Sequence, residues 1–209
     1  MSSEATILNQ IEEIKQQLKK DPKNPELLND LGVGYYLLGK YDDSISELEK
    51  AVSIASDNKT YTFNLANSYS EAEQFDKAIS LYHDVIEKDP GHIPSFNNLA
   101  DCYEAIDDIE KAQEMFEYIT KIAPDNALSH FNLGNFKLRN NHHIEAAKCY
   151  QRAIECEPGF IDAYYNLAWI LTEVSAFENA LDYINQGLEI DSKHNDLKEL
   201  RSKVRNKLG

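Results

Sequence analysis

Glycine and proline are scarce in this chain, at 8 and 6 of 209 residues. That excludes collagen-like, low-complexity and turn-dense β architectures, which need those residues at every reversal. Apolar runs are short, and none approaches the roughly 18 residues of a membrane span, so membrane insertion is not expected. The opening stretch, MSSEATILNQIEEIKQQ, lacks a basic segment followed by an apolar core and does not read as a secretory signal. Positive charge is in deficit: 21 Lys and Arg stand against 36 Asp and Glu, a net −15. General attraction to a nucleic-acid backbone is thereby excluded. The last seventeen residues run the other way, with Lys193, Lys198, Arg201, Lys203, Arg205 and Lys207 against Asp196 and Glu199.

Cysteine is nearly absent too. Cys149 and Cys156 fall seven apart on one expected helix, which separates their Cα atoms by about 10.5 Å. A disulfide needs less than about 7 Å, and Cys102 lies far off in the chain. Unpaired thiols fit a reducing, cytoplasmic setting. Catalytic signatures are missing as well. There is no Gly-rich phosphate loop or nucleophile motif. His83, His92, His130 and His194 show no ligand spacing with Cys or Asp, and His142-His143 falls in an expected turn. The expectation is a non-enzyme with no cofactor and no metal.

A period is what the chain has instead. Leu31, Leu65, Leu99, Leu133 and Leu167 stand 34 residues apart without an insertion or deletion. The next place is always tiny, at Gly32, Ala66, Ala100, Gly134 and Ala168, and twelve residues on come Ser44, Ala78, Ala112, Ala146 and Ala180. A fixed period of this length means a stacked repeat, in which no repeat buries its apolar face alone. Five repeats span 25–58, 59–92, 93–126, 127–160 and 161–194.

Each repeat reads as two antiparallel helices. In the fourth, Leu128, Phe131, Leu133, Phe136 and Leu138 give a first helix, and Arg139-Asn140-Asn141-His142 breaks it. Ile144, Ala147, Tyr150, Ala153 and Ile154 then recur at the spacing of a second, amphipathic helix. Cys156-Glu157-Pro158-Gly159 closes the repeat, with Gly159 expected in a left-handed cap. The small column lets the first helix approach the second of its own repeat. Leu48, Tyr82, Phe116, Tyr150 and Ile184 fill the gap toward the next repeat. Residues 1–24 carry an apolar stripe at Ile7, Ile11, Ile14 and Leu18 and read as an N-terminal capping helix, the second half of a degenerate repeat. Residues 195–209, with Leu197, Leu200, Val204 and Leu208 on a charged helix, read as a basic C-terminal cap.

These columns resemble the tetratricopeptide repeat, whose signature is a bulky residue, then Leu-Gly, an aromatic, Ala, an aromatic, Ala and a closing Pro. The resemblance covers residues 25–194. Tyr35, Tyr69 and Tyr103 match the first aromatic, while Lys137 and Leu171 depart from it, as His130 and Thr62 depart from the opening bulky residue. It implies an all-α, right-handed α-solenoid whose first helices line a concave groove, with the sixth place of each repeat pointing inward.

That sixth place holds Asp30, Asn64, Asn98, Asn132 and Asn166. Three places on come Asn67, Asp101, Asn135 and Trp169. A carboxamide offers a donor and an acceptor together. Such a ladder suits the main chain of an extended peptide, and O-linked glycosyltransferases that hold protein substrates show a similar one. Asn at this place also serves helix-to-helix bonding in the family. Spacing alone puts these amides on a face the core does not need, so replacing Asn98 and Asn132 by Ala is expected to spare the fold. Phe63, Phe131 and Tyr165 at the fifth place, with Trp169 a turn beyond, are the candidate side-chain pockets or else packing between first helices. Glu26, Asp30, Glu71, Asp101, Glu104, Asp162 and Glu173 fall on inward or rim places, opposed only by Lys137 and Arg139. The Lys, Asn, Asn, Lys, Arg clamp of co-chaperones that hold a C-terminal carboxylate is not supplied.

The reading is an adaptor that binds an extended, neutral to basic segment of a partner protein through Asn64, Asn67, Asn98, Asn132, Asn135, Asn166, Phe63, Phe131, Tyr165, Trp169 and Asp101. The alternatives are a self-associating scaffold, joined head to tail through the acidic body and the basic last helix, and a targeting subunit of an enzyme complex.

Overall fold

The computed structural model describes residues 3–209. Residues 1 and 2, the start of the segment read as an N-terminal cap, lie outside the described residues. Among the described residues there are twelve α-helices and no strand. They are α1 (Ser3–Leu18), α2 (Pro25–Leu37), α3 (Tyr41–Ile54), α4 (Lys59–Glu71), α5 (Phe75–Lys88), α6 (Ile93–Ala105), α7 (Ile109–Ile122), α8 (Ala127–Arg139), α9 (His143–Cys156), α10 (Ile161–Glu173), α11 (Phe177–Ile190) and α12 (Asn195–Leu208). The chain forms two compact units, Met1–Met115 and Phe116–Gly209. In each unit, consecutive helices pack side by side, α1 to α6 in the first and α8 to α12 in the second.

One cap recurs at the helix starts. Asn24 accepts the backbone N–H groups of Glu26 and Leu27 at 3.1 and 3.2 Å. Asn58 does the same for Thr60 and Tyr61, and Asn126 for Ser129. The column continues with His92 and His194, whose Nδ1 atoms accept from Ser95 and Leu197 at 3.3 Å. Each cap satisfies donors that a helix N-terminus leaves open.

The turn inside each repeat is also one device repeated. Gly39, Glu73, Asp107, Asn141 and Ser175 all have positive φ, between 57 and 68°. The next residue's N–H then reaches back to the first helix: Lys40 to Tyr35 at 3.0 Å, Gln74 to Tyr69 at 2.9 Å, Asp108 to Tyr103 at 2.8 Å. His142 to Lys137 and Ala176 to Leu171 repeat it at 2.8 Å. This is the Schellman closure. It corrects the expectation for Gly159, which lacks positive φ. The second helices end instead on an extended residue, such as Glu157 with φ −139° and ψ 92°, so the chain leaves without a left-handed step.

The small column packs as its spacing requires. A Cβ on Gly32 would sit 2.5 Å from Leu48 Cγ, and one on Gly134 would sit 2.7 Å from Tyr150 Cε1. Leu48, Tyr82, Tyr150 and Ile184 are fully buried. Ser44 takes the place of an alanine without an orphaned hydroxyl: it donates to Gly32 O at 2.7 Å and lies 2.8 Å from Ser68 Oγ.

Candidate protein-interaction surface

Three sixth-place amides, Asn64, Asn98 and Asn166, are tied to other amides on the preceding repeat's first helix. In the first unit Asn64 Nδ2 donates to Asn29 Oδ1 at 2.8 Å. Asn98 Nδ2 donates to Asn67 Oδ1 at 2.8 Å and to Tyr82 Oη at 3.3 Å. The Tyr82 hydroxyl donates to the same Asn67 oxygen at 2.7 Å. The second unit repeats the pattern: Asn166 Nδ2 and the Tyr150 hydroxyl both donate to Asn135 Oδ1, at 3.2 and 2.8 Å. Burial pushes the Tyr150 phenol up to about 12 and the Tyr82 phenol higher still.

The expectation that the core does not need this face is therefore corrected. An amide N–H of Asn64, Asn98 and Asn166 is spent on joining consecutive first helices. Their carbonyl oxygens accept nothing from the protein. No buried side-chain nitrogen or oxygen among the described residues lacks a partner, so those three oxygens reach solvent. One half of each amide holds the fold and the other half is available. Asn67 and Asn135 are the mirror case, with the oxygen used and the NH2 group open. Asn132 is half-buried and Asp101 exposed, and each is engaged by other groups.

Tyr82 and Tyr150 were not among the candidate residues. A signal for them existed: each follows an Asn by fifteen residues, Asn67 and Asn135. Where that place holds Val33, Asp101 or Trp169, the residue fifteen on is Leu48, Phe116 or Ile184. The hydroxyl appears only where an amide oxygen awaits it.

The aromatic candidates are half-buried and shared between packing and surface. Phe63 meets His92 edge-on, ring centroids 4.9 Å apart, and Phe131 meets Phe160 at 4.8 Å. Tyr165 lies 6.4 Å from His194. Each pair is 29 residues apart, and the two remaining equivalents are Asn29 with Asn58 and Asn97 with Asn126. Trp169 stacks at 6.5 Å from His143 and leans on the second unit's core.

Lys137 does not face inward. It is only 5% exposed, with Nζ 2.9 Å from Glu145 and 3.7 Å from Glu117. It occupies the aromatic column, where Tyr69 donates its hydroxyl to Glu49 and Tyr103 lies 2.9 Å from His83 Nε2. All three reach the second helix of the preceding repeat, twenty residues back. The Lys137 ammonium holds the Glu145 carboxyl below its usual range. Among the described residues no three His, Cys, Asp or Glu side chains are grouped to hold a metal ion. Among them, too, no helix is long and apolar enough to cross a membrane.

A peroxisomal targeting signal receptor from Saccharomyces cerevisiae is 26% identical over 192 residues, 85% of this chain and 30% of the receptor. A probable UDP-N-acetylglucosamine–peptide N-acetylglucosaminyltransferase, SPINDLY, from Petunia hybrida is 28% identical over 158 residues, 74% of this chain and 17% of the enzyme. The chain thus spans less than a third of the length of these relatives. Its fold matches the crystal structure of YrrB, described as a TPR protein with an unusual peptide-binding site, with TM-score 0.62 and 14% identity over 90% of this chain and 97% of that one. Sequence profiles of the tetratricopeptide repeat match residues 25–58, 69–132, 127–160 and 149–191. The chain belongs to the tetratricopeptide repeat family.

Proposed function

We propose that the chain is a non-catalytic adaptor that holds an extended segment of a partner protein against its first helices. The observation that carries this reading is the half-used amide. Asn64, Asn98 and Asn166 each keep a solvent-reaching carbonyl oxygen, and Asn67 and Asn135 keep N–H donors. Each unit thus presents both an open acceptor and an open donor, the pair that an extended main chain can use. Each such bond contributes about 0.5–1.5 kcal/mol net. Phe63, Phe131, Tyr165 and Trp169 expose part of their rings beside the amides and would select apolar side chains. Exposed Glu26, Asp30 and Asp101 favour a neutral to basic segment. The yeast relative, a receptor for a targeting signal, and YrrB, with its peptide-binding site, are consistent with peptide recognition. The three unpaired cysteines suit a cytoplasmic setting.

Site-specific photo-crosslinking tests this. A benzophenone side chain at Asp101 or Asp162 is compared with one at Glu87, on a second helix. Partner segments captured from cell extract through the first-helix positions, absent from the Glu87 sample, are the result expected. Capture through Glu87 alone would move the interface to another face.

A further inference from the structure

A groove of about 350 Å³ opens between α9 and α11 in the second unit, floored by Leu167, Ile170 and Leu171 of α10. It has a local cause in the repeat pattern. Elsewhere the aromatic column crosses this space: Tyr69 reaches Glu49, Tyr103 reaches His83, and Lys15 lies 5.4 Å over the Tyr35 ring. Leu171 is shorter and has no polar tip, so the space before Gln151, its partner twenty residues back, stays open.

Two more departures gather at the same spot. Ile144 stands where the other repeats have Asp42, Asp76, Glu110 and Glu178. It is 75% exposed, and Val174 across the groove is 59% exposed. Lys148 occupies a place that is otherwise Ser46, Ser80, Glu114 or Asp182. In a chain of net charge −15, no carboxylate lines this groove; its ionisable lining groups besides Tyr183 are Lys148 and His143. Glu145, the nearest acid along α9, is held by Lys137 at 2.9 Å. Lys148 makes no ion pair among the described residues. The hollows at equivalent turns in the first unit do carry carboxylates, Asp42 and Asp43 beside Lys40 in one and Glu73 and Asp76 beside Lys77 in the other.

We propose that this groove is a second docking site, separate from the first-helix amides, for an acidic amphipathic helix of a partner protein. Its apolar side chains enter between Ile144 and Val174, over Leu171, and a carboxylate one turn away meets Lys148. Removal of an acid and gain of a cation at one place give the groove a sign opposite to the chain's net charge. A volume above about 300 Å³ lies within the range of binding clefts, and helix-in-groove recognition uses this combination of stripe and rim charge.

The probe is a blocked helical peptide with a leucine stripe and a glutamate polar face, compared with its counterpart carrying lysine for glutamate. Titration is followed by calorimetry and by amide shifts of the isotope-labelled full chain. The glutamate peptide is expected to shift amides of residues 143–151 and 171–183 and to bind about tenfold or more tightly than the lysine peptide, a gap of about 1.4 kcal/mol. Ile144→Glu restores the acid of the other repeats in the first turn of α9, where an acid suits the helix dipole. It should leave melting unchanged and weaken the glutamate peptide by a similar factor. Leu171→Tyr, which restores the aromatic, should do the same by filling the groove. No binding, equal binding of the two peptides, or full affinity in a folded Ile144→Glu chain overturns the proposal. So does sedimentation showing that Ile144→Glu abolishes self-association while neither peptide binds, which would give the face to a second copy.

Discussion

Asn98 donates its amide N–H to the carbonyl oxygen of Asn67 at 2.8 Å, joining residues 31 apart on consecutive first helices. The Tyr82 hydroxyl shares that acceptor at 2.7 Å. A buried phenol needs a partner, and one amide oxygen with two lone pairs serves both donors. Repeat stacking and the candidate surface thus depend on the same side chains.

Replacing Asn98 by Ala should therefore lower stability by about 0.5–1.5 kcal/mol for each bond lost. Tyr82→Phe loses two bonds, to Asn67 and from Asn98, and should cost a comparable amount. Combining the two should cost less than the sum, because the bond from Asn98 to the Tyr82 hydroxyl is lost in either single variant. Denaturant unfolding of the two single variants and the double variant reads this coupling. Strict additivity would mean that the three groups do not form one network.

Alkaline pH should weaken the fold before it weakens other helical proteins of similar stability. Burial raises the Tyr150 and Tyr69 phenols to about 12, with the Glu49 carboxylate adding to the shift at Tyr69. An unfolded tyrosine titrates near 10. A raised folded value means that the contribution is fully present below about pH 10 and is lost as pH rises through about 12. Tyr150→Phe should flatten that decline. Melting temperatures of both chains between pH 8 and 12 check the sign.

The left-handed turn residues carry avoidable strain. Glu73 and Ser175 hold φ 57 and 61°, a region that costs a residue with a Cβ about 1–2 kcal/mol. Glu73→Gly or Ser175→Gly should stabilise by up to about 1 kcal/mol, since glycine loses part of the gain as backbone entropy. Gly39→Ala should destabilise by about 1 kcal/mol or more. Chemical denaturation of the three variants decides it.

Lys137 is buried with an exposed partner, Glu145. Removing the carboxylate by Glu145→Ala leaves the ammonium with Glu117 at 3.7 Å and should be destabilising. Lys137→Leu, which copies Leu171, removes the desolvated charge and should be neutral or stabilising. Thermal melts showing Lys137→Leu as the worse variant would mean the ion pair is a net source of stability.

The repeat and its helices were legible because the 34-residue columns are steric. A leucine followed by Gly32, Ala66, Ala100, Gly134 or Ala168 states how close two helices come, whatever surrounds them. The amide face was legible in position but not in use. Period places Asn98 on a helix face, yet only the geometry of the neighbouring helix reveals that Asn67 and Tyr82 meet it. Lys137 is a related case: its charge suggests solvent, while its column places it between second helices, where Glu117 of the preceding repeat and Glu145 of its own compensate it. Gly159 suggested a left-handed cap by residue type alone. The left-handed residues are instead Glu73, Asp107, Asn141 and Ser175, of which only Asp107 and Asn141 are types that favour that region.

Main-chain recognition by the open carbonyls of Asn64, Asn98 and Asn166 is the central claim, and ester substitution in the partner tests it most directly. The segment recovered by photo-crosslinking is synthesised with single amide N–H groups replaced by ester oxygens, keeping every side chain. Calorimetric titration against the full chain then reports each position. Ester substitution at the positions whose N–H meets Asn64, Asn98 or Asn166, three at most, should weaken binding by about fivefold to tenfold each, as loss of a bond worth about 1 kcal/mol or slightly more requires. Those at all other positions should have little effect. Unchanged affinity across all ester positions, with the segment still crosslinked to the first helices, would contradict main-chain recognition and leave the amides a structural role alone.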